Sequence, residues 1–333
     1  MNRTPACLIL GPMLMIALLV AGLAAPKSAR AQPYTHADAI ALTNGQVDIA
    51  VSPDVGRIVA FGRTGGDNLL WVPAQKAIDD ARAKDQWANF GGDKVWPALQ
   101  AIWPRFVPSG GGWPPDRIID GQPWTVLDQS DRHVTIQSRI NPDLNAKVTR
   151  RIELVADQPA VRITNTLERV GPSVLPVMIW TVSNVPHPDY TLMALAADRP
   201  ANERDHPFVR FSNKKDIDNR VEILDGAVRF NVTTERSLKT GTLGPWVAGV
   251  WPDTIFAQYT TFDPAGSYPD RSCSQVYCDG NYVELELLSP QRHLQPGESM
   301  TLDVTWRLLT APADAGITDT AAVIRHIEAH APR

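Results

Sequence analysis

The thirty residues from Trp87 to Asp116 constrain this chain more than any other stretch. They hold four tryptophans (Trp87, Trp96, Trp103 and Trp113), five prolines and five glycines. Pro97, Pro104, Pro108, Pro114 and Pro115 each remove a backbone donor and fix φ, so no long helix fits. Flexible linkers do not carry so many large aromatics. The stretch therefore predicts a long ordered loop folded over a rigid scaffold, and long ordered loops commonly carry function. Indole faces beside a few polar groups suit ligands with an apolar face and a hydroxylated rim, as sugar rings have. The competing expectation is that these tryptophans only plug one end of a β-sandwich, because large aromatics more often pack than bind.

The scaffold reads as β. Ala39 to Leu42 and Gln46 to Val51 alternate around Asn44-Gly45, a hairpin signal. Arg57 to Phe61 and Asn68 to Val72 form a second such pair around Gly65-Gly66. Beyond the tryptophan stretch come Trp124–Asp128, His133–Ile140, Ala146–Val155, Ala160–Arg169 and Val177–Val182. Further segments follow at Val221–Leu224, Ala227–Thr233, Val247–Val250, Ile255–Thr260, Tyr282–Leu288 and Met300–Leu309. Short β-branched segments at regular intervals, parted by turn residues, are the pattern of sandwiches and barrels. Lys76 to Lys84 predicts one short helix. Asp319 to His330 predicts another, with Ala322, Val323, Ile327 and Ala331 on its inner stripe. No Pro/Ser linker and no internal repeat divides the body, so the expectation is one all-β domain over 38–312, followed by a helical tail over 313–333.

Residues 1–31 read as a cleavable secretory leader. Arg3 supplies the charge, Leu8 to Ala25 the apolar run, and Ala29-Arg30-Ala31 a small-x-small cleavage site. A short flexible segment, 32–37, follows. An uncleaved membrane anchor is the alternative. The expected location is periplasmic or secreted, with no membrane insertion after cleavage. The whole chain carries 32 Lys and Arg against 36 Asp and Glu. A leader with Arg3, Lys27 and Arg30 and no acid makes the remainder more acidic still, which argues against a nucleic-acid partner. Beyond the leader only Cys273 and Cys278 remain, and in an exported chain that pair predicts a disulfide closing a short loop before Tyr282.

The second informative stretch is Tyr282 to Pro290, YVELELLSP. Alternation puts Glu284 and Glu286 on one face of a strand. Two carboxylates so close raise each other's pKa if the face is enclosed, which suits a base or a grip on sugar hydroxyls. A solvated outer face is the bland alternative.

Three segments together resemble the galactose mutarotase-like superfamily, the aldose 1-epimerases and their non-catalytic relatives. Asn44-Gly45 followed by Asp54-Val55-Gly56-Arg57-Ile58 resembles that family's opening strands. Asn89-Phe90-Gly91-Gly92-Asp93-Lys94-Val95-Trp96-Pro97 resembles the glycine-rich segment that borders its sugar site. Val283-Glu284-Leu285-Glu286 resembles the late strand with its catalytic glutamate, Glu286 being the better match and Glu284 the second. The likeness is nearest to secreted bacterial members without an assigned reaction. It implies a supersandwich of two large antiparallel sheets, and a reaction in which a glutamate and a histidine move protons at a sugar's anomeric centre. It further implies that Asn89, Asp93, Lys94, Trp96, Trp113 and Trp180 bind substrate.

The family's two histidines have no counterpart here. Gly112-Trp113-Pro114-Pro115-Asp116 stands in place of the first, and Trp180 or Thr181 in place of the second. Asp116 and His187 are the remaining acid candidates, and indole and threonine hydroxyl are poor proton donors. No nucleophile elbow, phosphate-cradling loop or zinc-protease motif occurs. Asp205-His206 and His187/Asp189 lack metal-cluster spacing, so no metal or cofactor is expected. The sequence points to a monomeric carbohydrate-binding protein with weak or no epimerase activity. An active epimerase using Glu286 as base is the alternative, and a structural cell-envelope module the second alternative.

Overall fold

The computed structural model describes residues 39–84, 86–106, 113, 115–116, 118–313 and 316–332. The predicted leader and the segment 32–37 lie outside the described residues, as do Pro108, Gly112 and Pro114 of the tryptophan stretch.

Nineteen strands, numbered along the chain, are found among the described residues, in two wholly antiparallel sheets. The nine-stranded sheet runs β1 (Ile40–Thr43), β2 (Val47–Ser52), β3 (Arg57–Arg63), β4 (Asp93–Trp96), β9 (Trp180–Val185), β18 (Val283–Leu288), β17 (Ser274–Cys278), β14 (Leu238–Thr242), β11 (Val209–Arg210). The ten-stranded sheet runs β12 (Val221–Leu224), β13 (Ala227–Phe230), β10 (Tyr190–Ala194), β15 (Trp246–Val250), β16 (Thr254–Tyr259), β19 (Ser299–Thr310), β8 (Ala160–Arg169), β7 (Ala146–Leu154), β6 (His133–Gln137), β5 (Thr125–Gln129). This is the expected supersandwich. The main core lies between the sheets, where Phe61, Phe256 and Trp306 meet with ring centroids 5.1–5.3 Å apart.

The first hairpin forms because Asn44 and Gly45 satisfy the turn. Gly45 takes φ +79°, and the Asn44 carboxamide oxygen accepts from the N–H groups of Gln46 and Val47 at 3.0 and 2.9 Å. Asn68 to Val72 departs from expectation and is not a strand. The Asn68 side chain takes over the backbone pairing, accepting from Phe61 and Leu70 and donating to the Val59 carbonyl. The two expected helices span Gln75–Ala83 and Thr320–Ala329. The latter is capped by Asp319, whose carboxylate accepts from Ala322 N–H at 3.0 Å. It buries Val323, Ile324 and Ile327 against the outer side of β10, β15 and β16, with Ala331 left exposed.

The tryptophan stretch is only partly loop. Within it β4 pairs with β9, and Gln100–Arg105 forms a 3₁₀ turn. Gly91 and Gly92 both take φ +67°, and a Cβ at Gly92 would sit 2.2 Å from the Ile58 carbonyl oxygen. Glycine is required there for the chain to pass tightly under β3 and enter β4.

Cys273 and Cys278 do not form the expected disulfide; both are free and buried. They stand at opposite ends of β17, about 16 Å apart along an extended chain, whereas a bridge needs Cα atoms within about 7 Å. The segment read as a loop is a central strand. The Cys273 thiol instead donates to the Gly244 carbonyl at 3.1 Å. No helix among the described residues is long and apolar enough to cross a membrane.

Candidate functional site

Strand register gathers the site on the face of the nine-stranded sheet turned away from the other sheet. Asn184, Glu284, Tyr277 and Lys239 are cross-strand neighbours on β9, β18, β17 and β14. One row along lie Lys94, Val182, Glu286 and Gln275, and beyond them Trp96 and Trp180 face each other across β4 and β9. Period-two alternation puts all of these side chains on one face.

Above this face is a cleft of about 640 Å³. Trp96, Trp113, Trp180, Phe211, Tyr277 and Tyr282 make its walls. Its polar lining comes from Gln100, Lys239, Asp270 and Glu284. The indoles brace one another: Trp96 meets Trp103 and Trp180 edge-on at 5.0 and 4.8 Å, and Trp113 stacks on Trp103 at 6.1 Å. Trp103 is buried and donates its Nε1–H to the Ala98 carbonyl at 3.0 Å. It is support, as is Trp87, whose Nε1–H goes to Asp120, the buried partner of Arg57.

Each glutamate is held by a lysine. Lys94 Nζ reaches Glu284 Oε1 at 3.3 Å, and Asn184 Nδ2 donates to the same oxygen at 3.1 Å. Lys239 Nζ donates to Glu286 Oε2 at 2.9 Å, and Trp180 Nε1–H donates to it at 2.8 Å. The Lys239 ammonium also lies 4.5 Å from the Trp180 ring centroid, and Lys94 lies 4.6 Å from that of Trp96. Burial raises the Glu286 pKa to about 7, with Lys239 opposing and Glu284 adding to the rise. Burial pushes the Lys94 pKa down and that of Asp270 up. Three buried polar atoms on this face find no partner among the described residues: Glu286 Oε1, Gln275 Oε1 and Trp96 Nε1. Each such atom is costly unless something else bonds to it.

The structure thus brings together Glu284, Glu286, Lys94, Trp96, Trp113 and Trp180 of the expected site residues. Glu286 lies fully buried beneath Lys239 and Trp180, while Glu284 lines the cleft. Four expected residues are placed elsewhere. Asp93 points the opposite way from Lys94, between the sheets, in a buried ion pair with Arg150. Asp116 folds back on its own chain, its carboxylate accepting from Ile118 and Ile119 N–H. His187 sits past the far end of β9, where its Nε2 lies 2.6 Å from the Asp279 carbonyl oxygen. Asn89 accepts from Gly91 N–H at 3.0 Å and from Arg57, shaping the turn before β4. Among the described residues no histidine lines the cleft, and no group of three His, Cys, Asp or Glu side chains is arranged to hold a metal ion.

Sequence reasoning missed Lys239, Phe211, Tyr277, Tyr282, Gln100 and Asp270. Lys239 pairs with a glutamate 47 positions away, so only the strand order could reveal it. Tyr277 carried a usable signal: an aromatic in SQVYC, alternating with buried Val276 and Cys278.

Solved structures share the architecture. One described as a putative aldose 1-epimerase from Escherichia coli K12 aligns with TM-score 0.52 at 16% identity, covering 82% of this chain and 99% of that one. A galactose mutarotase-like protein from Clostridium acetobutylicum aligns with TM-score 0.53 at 12% identity, covering 82% and 95%. Another from Lactobacillus casei gives 0.52 at 11%, covering 81% and 100%. These identities establish the fold and no more. No curated protein matches. Residues 37–309 match the model of a family described as a domain of unknown function (DUF4380). With most of its length covered by that model, the chain belongs to the DUF4380 family, carried on a galactose mutarotase-like fold.

Proposed function

We propose that the cleft binds a carbohydrate and that this protein recognises a sugar or oligosaccharide with little or no mutarotase activity. The observation that carries this reading is the cleft itself, where aromatic walls surround Glu284, held by Lys94, with the Lys239–Glu286 pair beneath. Aromatic faces cover the C–H surface of a pyranose. Glu284, Gln100 and the tyrosine hydroxyls meet its hydroxyl groups, and charge-assisted bonds to a carboxylate are the stronger kind.

Mutarotation needs a proton removed at one oxygen and delivered at another. Among the described residues no histidine lines the cleft, and the Lys239 ammonium beside Glu286 is already bonded to it. The direct test is isothermal titration and tryptophan fluorescence with a panel of neutral sugars. Saturable binding is expected, and Glu284→Gln should weaken it about tenfold. A panel without any binder would refute the reading and leave a structural role.

One observation favours the second reading, an epimerase with Glu286 as base: its pKa near 7 suits proton exchange at neutral pH. Polarimetry of freshly dissolved glucose and galactose separates the two, since robust turnover abolished by Glu286→Gln would establish the epimerase. Export with cleavage after Ala31, and a monomeric state, belong to the same proposal. N-terminal sequencing of protein from the periplasm, and light scattering, test them.

A further inference from the structure

We infer that the cleft takes an uncharged oligosaccharide lying across at least two aromatic platforms, Trp113 and Phe211, instead of a single sugar ring. This rests on the carbohydrate reading above and deepens it. Most of the cleft's aromatics are buried or half-buried, but Trp113 is 49% exposed and Phe211 39% exposed. Exposed large aromatics that continue a cleft mark a binding surface.

The two platforms are not neighbours. Trp113 rests on Trp103, whose ring centroid is 6.3 Å from that of Trp180. The Lys239 ammonium lies over Trp180, and Phe211 lies beyond it, 5.7 Å from Nζ. Phe211 directly follows β11, the edge strand, whereas Trp113 belongs to the stretch that follows β4. β9, which carries Trp180, and β11 stand four places apart in the sheet, and the Lys239 ammonium sits between the Trp180 and Phe211 rings, 4.5 Å from the centroid of the first and 5.7 Å from that of the second. A single pyranose at the centre of the cleft does not reach both exposed platforms. A chain of linked rings covers them.

Charge narrows the class further. Among the described residues no arginine lines the cleft, and each lysine on this face is bonded to a glutamate. Asp270 adds a third carboxylate beside Lys239. A phosphate or uronate group would therefore meet carboxylates with no uncommitted cation to receive it, a desolvation cost without compensation.

The experiment is a calorimetric and array comparison on the mature chain. The probes are glucose, galactose and N-acetylglucosamine, the neutral di- to hexasaccharides built from each, and the matching uronates and 6-phosphates. The expected result is an affinity that climbs at least tenfold from one ring to three or four and then levels, with the acidic analogues weaker. Trp113→Ala and Phe211→Ala should each compress the ratio of tetrasaccharide to monosaccharide affinity toward one. Both positions are exposed, and circular dichroism verifies folding. Monosaccharides bound as tightly as their oligomers, or a ratio untouched by either variant, would overturn this inference and leave sugar binding standing. Tighter binding of the acidic analogues would overturn the charge argument. Binding to no probe would overturn the carbohydrate reading itself.

Discussion

Replacing Asp93 by Asn should destabilise the fold severely. Arg150 is fully buried; it donates to Asp93 Oδ1, to the Asp93 carbonyl at 3.1 Å and to Asn165 Oδ1 at 2.9 Å. The other Asp93 oxygen accepts from Ser183 Oγ at 2.8 Å, and Ser183 Oγ in turn accepts from Gln258 at 2.9 Å. This network ties β4 and β9, which carry the cleft, to β7, β8 and β16 of the opposite sheet. Removing the carboxylate's charge leaves a guanidinium buried without a counter-ion, a loss of about 3–5 kcal/mol. For a chain of 333 residues the unfolding entropy is about 0.7 kcal/mol/K, so the melting temperature should fall by about 4–7 °C. The assay is urea and thermal unfolding of wild type, Asp93→Asn, Arg150→Met and the double variant. The double variant should be more stable than Asp93→Asn, because the stranded charge goes with the arginine. A change under about 1 kcal/mol for Asp93→Asn, or a double variant as damaged as the sum of the singles, would refute the reasoning. A ligand-binding Asp93 predicts the reverse pattern, intact stability with weakened sugar binding.

Three further outcomes follow from the geometry. Because Glu286 is raised to about 7 from an ordinary value near 4.5, the folded chain keeps a proton between those pH values that the unfolded chain has lost. Its contribution is full below about pH 4.5 and disappears as pH rises through 7, so Glu286→Gln should flatten the stability profile by on the order of 3 kcal/mol; parallel profiles from urea melts at pH 5 and 8 would contradict this. Burial pushes the Cys273 thiol up to about 12, so mass spectrometry should find no bridge and two thiols alkylated only after unfolding. Gly92→Ala should lower the yield of folded protein, because its Cβ would press on backbone at Ile58; wild-type thermal stability in the variant would rule that out.

The two-sheet architecture was legible because many strands alternate or are bounded by turn residues. Ala160–Arg169 was read to the residue, and the Asn44-Gly45 hairpin to within one. Of the five unread strands, β4, β10, β11, β14 and β17, three (β4, β14 and β17) help build the site beside β9 and β18. In DKVW, Asp93 and Lys94 are both buried, one into each face, so no polar-out alternation marks the strand. LKTGT carries a lysine and a glycine, which read as turn, and the lysine is accommodated by Glu286 on β18, two strands away. Glu284 and Glu286 could be placed on one face by spacing alone. Which lysine meets which glutamate depends on strand order, and that comes from contacts 190 and 47 positions apart in sequence. His187 and Asp116 were sought as acids by residue type, and the backbone groups beside them claim both.

The most direct test of the account is a crystal structure of the protein soaked with the tightest neutral oligosaccharide from the panel. The account predicts a sugar ring against Trp180 with a hydroxyl within hydrogen-bonding distance of Glu284, and the chain running toward Trp113 and Phe211. A sugar seated instead in the groove of about 570 Å³ on β1 to β3, beside Asp48, Phe61 and Asn68, with the tryptophan-walled cleft empty, would contradict it.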